Sequence, residues 1–247
     1  MYRAVLIDLD GTLVDTLSEI AAAANAMLIE AGREPVSDRI AAEAIGEGAS
    51  VLVERLIGRS EAARWLPVYM RHYHAHNGTT ARLYPNVKEG LDAMRAMDLA
   101  IACVTNKPGE LVAPLLERLG IASHFDILVG GGDAAEKKPH PAPLLAACRR
   151  LGVAPDACVM LGDSKNDALA AGAAGMVSLT VPYGYPGAGG DEDRAKGLLE
   201  RGVTRAIVPD LLAAARWIAL RRQDQRSDRP DPCGHDASGP DPRIDRA

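Results

Sequence analysis

Long apolar runs are missing from this 247-residue chain, and none approaches the length of a membrane span. The N-terminus has no charged leader, apolar h-region or cleavage site, and it runs straight into an apolar segment at residues 2–8. Basic residues are not in excess: 28 Lys and Arg against 33 Asp and Glu leave a net charge of −5. That balance argues against a general nucleic-acid binder, which would carry a basic face. It also leaves any anionic substrate dependent on local cations, from Lys, Arg or a metal. Large aromatics are scarce, with one Phe and two Trp, so the core has to be built on Ala, Leu and Val. The four cysteines, Cys103, Cys148, Cys158 and Cys233, are scattered and form no Cys-x-x-Cys pair. Cys103 and Cys158 fall inside apolar runs and read as reduced core residues. These absences describe a soluble, cytoplasmic protein with neither a membrane nor a nucleic acid as partner. Its hydrophobic content of 47% is enough for a substantial core.

What is present is an alternation. From about residue 86, helical patterns at 86–97, 108–119, 139–151 and 166–174 are separated by short apolar runs at 99–105, 126–129, 157–161 and 176–181. Gly120, Gly152 and Gly175 fall where helix C-caps need positive φ, each followed by an apolar residue opening the next segment. Short apolar runs alternating with helices predict βαβ units: an α/β fold with a mostly parallel sheet and helices on both faces. The stretch between residues 16 and 84 differs. Thr16-x-x-Glu19 carries a capping-box signal, and helical patterns at 17–31, 38–45, 50–57 and 61–76 have no convincing strand between them. This predicts an inserted all-helical cap domain (16–84) within a discontinuous catalytic core (1–15 and 85–222). Residues 223–247 are Asp, Arg, Pro and Gly with almost nothing apolar, which predicts a disordered C-terminal tail. Cys233 and His235 lie there, and two ligands do not make a metal site.

The chemistry-bearing residues sit where apolar runs end. Ligands of parallel α/β sheets bind outside the carboxyl ends of the strands. Asp8 and Asp10 close the first run at alternate positions, so both project the same way from the strand's mouth. Two such carboxylates repel unless a cation or a shared proton offsets them, which suggests a metal site or a nucleophile beside a general acid. After the next run come Thr105, Asn106 and Lys107, then Lys138-Pro139 behind a Gly-rich loop, then Gly162-Asp163-Ser164-Lys165-Asn166-Asp167. Taken singly, each has an ordinary role as a cap, a loop lysine or a first-turn acid. Together, in order, they supply an oxygen nucleophile, a proton donor, hard oxygens for Mg²⁺ and donors for phosphoryl oxygens.

That ordered set, with the helical insert, resembles the haloacid dehalogenase superfamily of Asp-nucleophile phosphatases, in the subgroup with a helical cap after the first motif. The resemblance spans residues 1 to about 222. Within the superfamily the sequence is most similar to the bacterial phosphoglycolate phosphatases, through Gly46-Glu47-Gly48-Ala49-Ser50-Val51-Leu52-Val53-Glu54-Arg55 and the Gly-Asp-Ser-Lys-Asn-Asp form of the last motif. The resemblance implies a Rossmann-like core, with Asp8 as nucleophile and Asp10 as the acid and later base, its pKa raised by its neighbours. It implies Mg²⁺ held by Asp8, the Asp10 carbonyl and Asp163, with Asp167 as a further ligand or a support. Lys138 would pair with Asp8 and the phosphoryl group, while Thr105 and the Asn106 N–H would bind phosphoryl oxygens. The expected substrate is a small phosphate ester, 2-phosphoglycolate first, with a sugar phosphate, a nucleotide, pyrophosphate or a phosphomutase reaction as alternatives. Arg55 and the 46–48 loop are candidates for reading the substrate's carboxylate, and His72, His74 and His76 read as surface residues. The protein is expected to act as a monomer or homodimer.

Overall fold

The computed structural model describes residues 1–185 and 192–227. Its first strand, β1 (Ala4–Ile7), is buried at every position, as a central strand covered on both faces must be. Two residues, Val14–Asp15 (β2), then leave the core, and four helices follow: α1 (Leu17–Glu30), α2 (Asp38–Ala44), α3 (Ala49–Ile57) and α4 (Arg59–His76). The chain returns along β3 (Arg82–Leu83), which pairs antiparallel with β2. Then the alternation begins: α5 (Val87–Ala96), β4 (Ala100–Pro108), α6 (Gly109–Arg118), β5 (Ile127–Gly131), α7 (Ala142–Leu151), β6 (Cys158–Gly162), α8 (Lys165–Ala173) and β7 (Val177–Thr180). It closes with α9 (Glu192–Glu200), β8 (Ala206–Ile207) and α10 (Leu211–Ser227).

The main sheet has six strands in the order β5-β4-β1-β6-β7-β8, with every pairing parallel. Side chains alternate across it. Val5, Ile7, Ile101, Cys103, Val159 and Leu161 meet α5, α6 and α10 on one face. Leu6, Ala102, Val104 and Met160 meet α7 and α8 on the other. α5 and α10 approach closely at Gly90, where a Cβ would stand 2.6 Å from Leu211 Cβ. Because β4 and β6 flank β1 and the strand order reverses there, the crevice at a topological switch point opens beside Asp8.

The four helices of the insert have their own core. Ile20, Ala24 and Met27 of α1 pack with Leu52 and Val53 of α3 and with Tyr69 and Tyr73 of α4. Two narrow crossings join this cap to the sheet, and they are pinned by polar contacts. Glu19, 1% exposed, accepts hydrogen bonds from the N–H groups of Gly78, Thr80 and Ala81 on the returning strap. The capping box expected at Thr16 and Glu19 therefore does not form. Thr16 makes no side-chain cap, because its hydroxyl turns to Asp10 while Glu19 is taken by the strap.

Other departures are at the edges. β4 runs through Thr105 to Pro108 with an irregular register, so α6 starts one residue later than the pattern predicts. The strands β2, β3 and β8 are two residues each, too short for a pattern, and α9 and α10 are not among the expected elements, although Leu211, Ala214, Ala215 and Ile218 of α10 recur at helical spacing. α10 continues to Ser227, five residues into the stretch expected to be a disordered tail. It is held nearby by Arg222, which donates to the Met97 carbonyl at 2.6 Å. Residues 228–247, with Cys233 and His235, lie outside the described residues. No described helix is long and apolar enough to cross a membrane.

Candidate active site

A cavity of about 50 Å³ lies between the carboxyl ends of the strands and the cap. By volume it holds roughly three waters or a small polar ligand. Its floor is Asp8, Asp10, Thr105, Asn106, Lys107, Lys138 and Asp163, and its roof is Ile20, Ile45, Ala49, Leu52, Tyr69 and Tyr73.

Asp8 leaves β1 directly. Its Oδ1 accepts from the Leu9 N–H at 2.7 Å and pairs with Lys138 Nζ at 2.8 Å. Burial, then the charge of Asp167, push its carboxyl up to about 7, against the opposing pull of Lys138. Asp163 follows β6, and burial with Asp167 and Asp8 nearby lifts it well above the usual carboxylate range. Carboxylate oxygens of Asp8, Asp163 and Asp167 lie within 4.8 Å of one another. Such crowding raises pKa values because each charge penalises the next.

The residues present fit a hard divalent cation at this cluster. Asp163 Oδ1 accepts from Thr12 Oγ1 at 3.0 Å, but its buried Oδ2 has no hydrogen-bond partner. Gly11 and Gly184 close around that oxygen: a Cβ on Gly11, whose φ is +86°, would stand 2.6 Å from it. A buried, unpaired carboxylate oxygen is costly, and a cation removes the cost. Asp167 differs, since both its oxygens are committed. Oδ1 accepts from Lys138 Nζ at 2.6 Å, and Oδ2 accepts from the Ser164 hydroxyl at 2.6 Å and the Ser164 N–H at 3.1 Å. In this arrangement Asp167 holds Lys138 and the 162–164 turn.

Lys138, with 2% of its side chain exposed, spends its three hydrogens on Asp8, Asp167 and the Val104 carbonyl. Burial alone would lower its pKa, and the two aspartates overrule this and raise it. Asn106 fixes the lysine's backbone, taking the Lys138 N–H at 2.9 Å and giving an N–H to the Lys138 carbonyl at 2.9 Å. It also donates to the Gly46 carbonyl in the cap at 3.0 Å, and Asn166 donates to the same oxygen at 3.2 Å. The 46–48 loop is thus clasped by two core side chains. Thr105 is buried, and its hydroxyl accepts from the Lys107 N–H at 3.1 Å.

Asp10 stands at the seam. Its Oδ1 accepts from Thr16 Oγ1 at 2.7 Å and pairs with Lys107 Nζ at 3.3 Å. The Thr16 hydroxyl lies 2.9 Å from that of Tyr185, tying Asp10 to the loop after β7. Lys107 also hydrogen-bonds the Tyr73 hydroxyl and sits 4.3 Å from that ring's centroid. Its side chain is 0% exposed. Lys107, Tyr69 and Tyr73 line the cavity without belonging to the residues that the resemblance places in the site. The signal available was a third polar residue at the end of β4 and two tyrosines four apart on one helix face.

Arg55 is placed elsewhere. Its guanidinium donates to the Ala44 carbonyl at 3.2 Å and pairs with Glu47, half-exposed and outside the cavity lining. His72 meets Glu30 and His74 meets Glu110, both away from the cavity.

Residues 5–181 match the family model for haloacid dehalogenase-like hydrolases. The chain is 42% identical over 224 residues to a phosphoglycolate phosphatase of Nitrosospira multiformis, covering 87% of this chain and 95% of that one. A protein of the same name from Thiobacillus denitrificans is 39% identical over the same shares of both chains. Among solved structures, one described as a predicted phosphoglycolate phosphatase from Haemophilus somnus superposes with a TM-score of 0.76 at 31% identity. That match covers 88% of this chain and 98% of the other.

Proposed function

The chain belongs to the haloacid dehalogenase-like hydrolases, and from that premise we propose a Mg²⁺-dependent phosphatase that converts 2-phosphoglycolate to glycolate and phosphate. The observation that carries it is the joining of Asp8, Lys138 and the unpartnered oxygen of Asp163 in one buried cluster at the switch point. Asp8, the Asp10 carbonyl and Asp163 would hold Mg²⁺, which when bound neutralises charge so that a carboxylate and a phosphate dianion can meet.

An oxygen of Asp8 attacks phosphorus, the bond to the glycolate oxygen breaks, and Asp10 gives that oxygen its proton. Asp10 then takes a proton from water, whose oxygen attacks phosphorus and releases Asp8. Lys138 keeps Asp8 oriented through both steps, and Thr105 with the Asn106 N–H faces the phosphoryl oxygens. Residues 1–15 and 85–222 act as the catalytic core, while residues 16–84 close over it and exclude water. The protein works as a monomer or a homodimer. Its place of work is the cytoplasm, the compartment to which its scattered, reduced cysteines point.

A panel of phosphate esters compared by kcat/KM tests the substrate: 2-phosphoglycolate, a hexose phosphate, a nucleoside monophosphate and pyrophosphate, each with Mg²⁺. The expected result is a preference for 2-phosphoglycolate of tenfold or more. A hexose phosphate preferred over it would overturn the substrate and leave the chemistry standing.

A further inference from the structure

A 2-phosphoglycolate molecule carries two anionic ends, and the floor described so far accounts for one. The phosphoryl end meets Asp8, the cation site, Lys138 and Thr105. The other end points toward the cap, where the side chains of Ile20, Ile45, Ala49 and Leu52 are hydrocarbon and offer no donor. A carboxylate enclosed there without a partner would cost more than binding returns.

One corner of the cavity differs. Lys107 Nζ, fully buried, faces it with two acceptors, Asp10 and Tyr73. An ammonium has three hydrogens, so Lys107 keeps one to give, whereas Lys138 has none left. Tyr69 stands one turn from Tyr73, their rings 5.4 Å apart, and it also lines the cavity. Burial and then the charge of Asp10 raise both phenols, so each stays a hydroxyl able to donate.

Distance then selects the ligand. Asp10 protonates the leaving oxygen, and Lys107 Nζ is 3.3 Å from Asp10. In 2-phosphoglycolate a single methylene separates the leaving oxygen from the carboxylate. A group reading that carboxylate must therefore lie within a few ångströms of Asp10. Arg55, turned to Glu47 and the Ala44 carbonyl, does not line this space.

We infer that Lys107, oriented by Tyr73 and Asp10, is the specificity residue that binds the substrate's second anionic group, a carboxylate one carbon from the leaving oxygen. The inference rests on the phosphatase proposed above. It assigns part of the recognition to a core residue, Lys107, which the cap's tyrosines complete on closure.

The test compares wild type, Lys107→Met and Tyr73→Phe on 2-phosphoglycolate and on 2-hydroxyethyl phosphate, which keeps the leaving oxygen and replaces the carboxylate by CH₂OH. Lys107 also touches Asp10, so the readout is the ratio of the two kcat/KM values rather than either alone. Loss of a charge-assisted contact should lower that ratio about 30-fold in Lys107→Met, and loss of a neutral hydroxyl about fivefold in Tyr73→Phe. The inhibition constant of inorganic phosphate, which fills only the phosphoryl end, should move by less than about threefold. Equal losses on both esters, with the ratio unchanged, would overturn the inference and make Lys107 a positioning residue for Asp10. If Lys107→Met does not fold by thermal melting, the near-isosteric Tyr73→Phe decides on its own ratio. A wild type that hydrolyses both esters equally overturns the inference alone; one that hydrolyses neither overturns the phosphatase as well.

Discussion

The floor and the roof of the cavity are built on opposite principles. In the floor, acidic and basic side chains are crowded and cross-braced by partners from separate segments, Asp8 with Lys138, Lys138 with Asp167 and Asp163 with Thr12, while Asp167 and Ser164 close the turn after β6. The roof is mostly hydrocarbon with two tyrosines, and it reaches the floor through few polar contacts, at Gly46, at Tyr73 and along the pinned crossings. A rigid, charged floor keeps its geometry while phosphate changes partners, as electrostatic preorganisation requires. A roof joined by few bonds can open and admit substrate, and small changes there alter what fits. Chemistry and selectivity are thereby separated, with Lys107 reaching from one to the other.

Substitutions can break that separation. The largest effect belongs to the floor: Asp8→Asn should lower turnover on the order of 10⁵-fold, while the melting temperature without metal stays equal or rises, because a crowded charge is gone. Next is Asp10→Asn, with turnover of 2-phosphoglycolate down roughly 10²- to 10³-fold. p-Nitrophenyl phosphate, whose p-nitrophenolate leaves without a proton, should still phosphorylate that variant, with slow release of phosphate as the stopped-flow signature.

Metal and pH act on the same cluster. Burial and the charge of Asp167 push the folded Asp8 carboxyl up to about 7 from its ordinary 3.8, so between those values the folded state holds more protons than the unfolded one. Stability of the metal-free protein should therefore fall as pH rises from about 4 to 7. Mg²⁺ competes with those protons, so its affinity should tighten across the same window, and its addition should raise the melting temperature more at pH 8 than at pH 5.5. Differential scanning fluorimetry with and without EDTA checks both signs.

The roof should give smaller numbers. Asn166→Ala removes one of two donors to the Gly46 carbonyl, and KM should rise a few-fold with kcat nearly unchanged. Arg55→Ala should be smallest, within about 0.5 kcal/mol in stability and with no change in substrate preference, since its partners are Glu47 and a carbonyl outside the cavity.

The same contrast explains what was legible in the sequence. Floor residues lie at strand ends, and a strand end is a local event: an apolar run followed by a turn. Asp8, Thr105, Asn106 and Asp163 could be placed before any coordinates because each follows such a run. The helix stops at Gly120, Gly152 and Gly175 were legible for the same reason, and each adopts positive φ. The roof depends on contacts between distant segments. The Thr16–Glu19 capping box is a sound local signal, and it loses to Asp10 and to the 78–81 strap, 59 to 62 residues away. Arg55 looks free in sequence, and its pairing with Glu47, eight residues earlier, arises only once the 46–48 loop folds back on α3. Lys107 was visible in sequence, but its value came from Tyr73, 34 residues earlier.

The central claim, that Asp8 carries the phosphoryl group, is tested most directly by rapid-quench trapping. The Asp10→Asn variant is mixed with Mg²⁺ and a ³²P-labelled aryl phosphate, quenched in acid, digested and mapped. The expected result is a label that hydroxylamine releases, located on Asp8. A label on another residue, or full turnover by this variant with no labelled protein at any time, would contradict it.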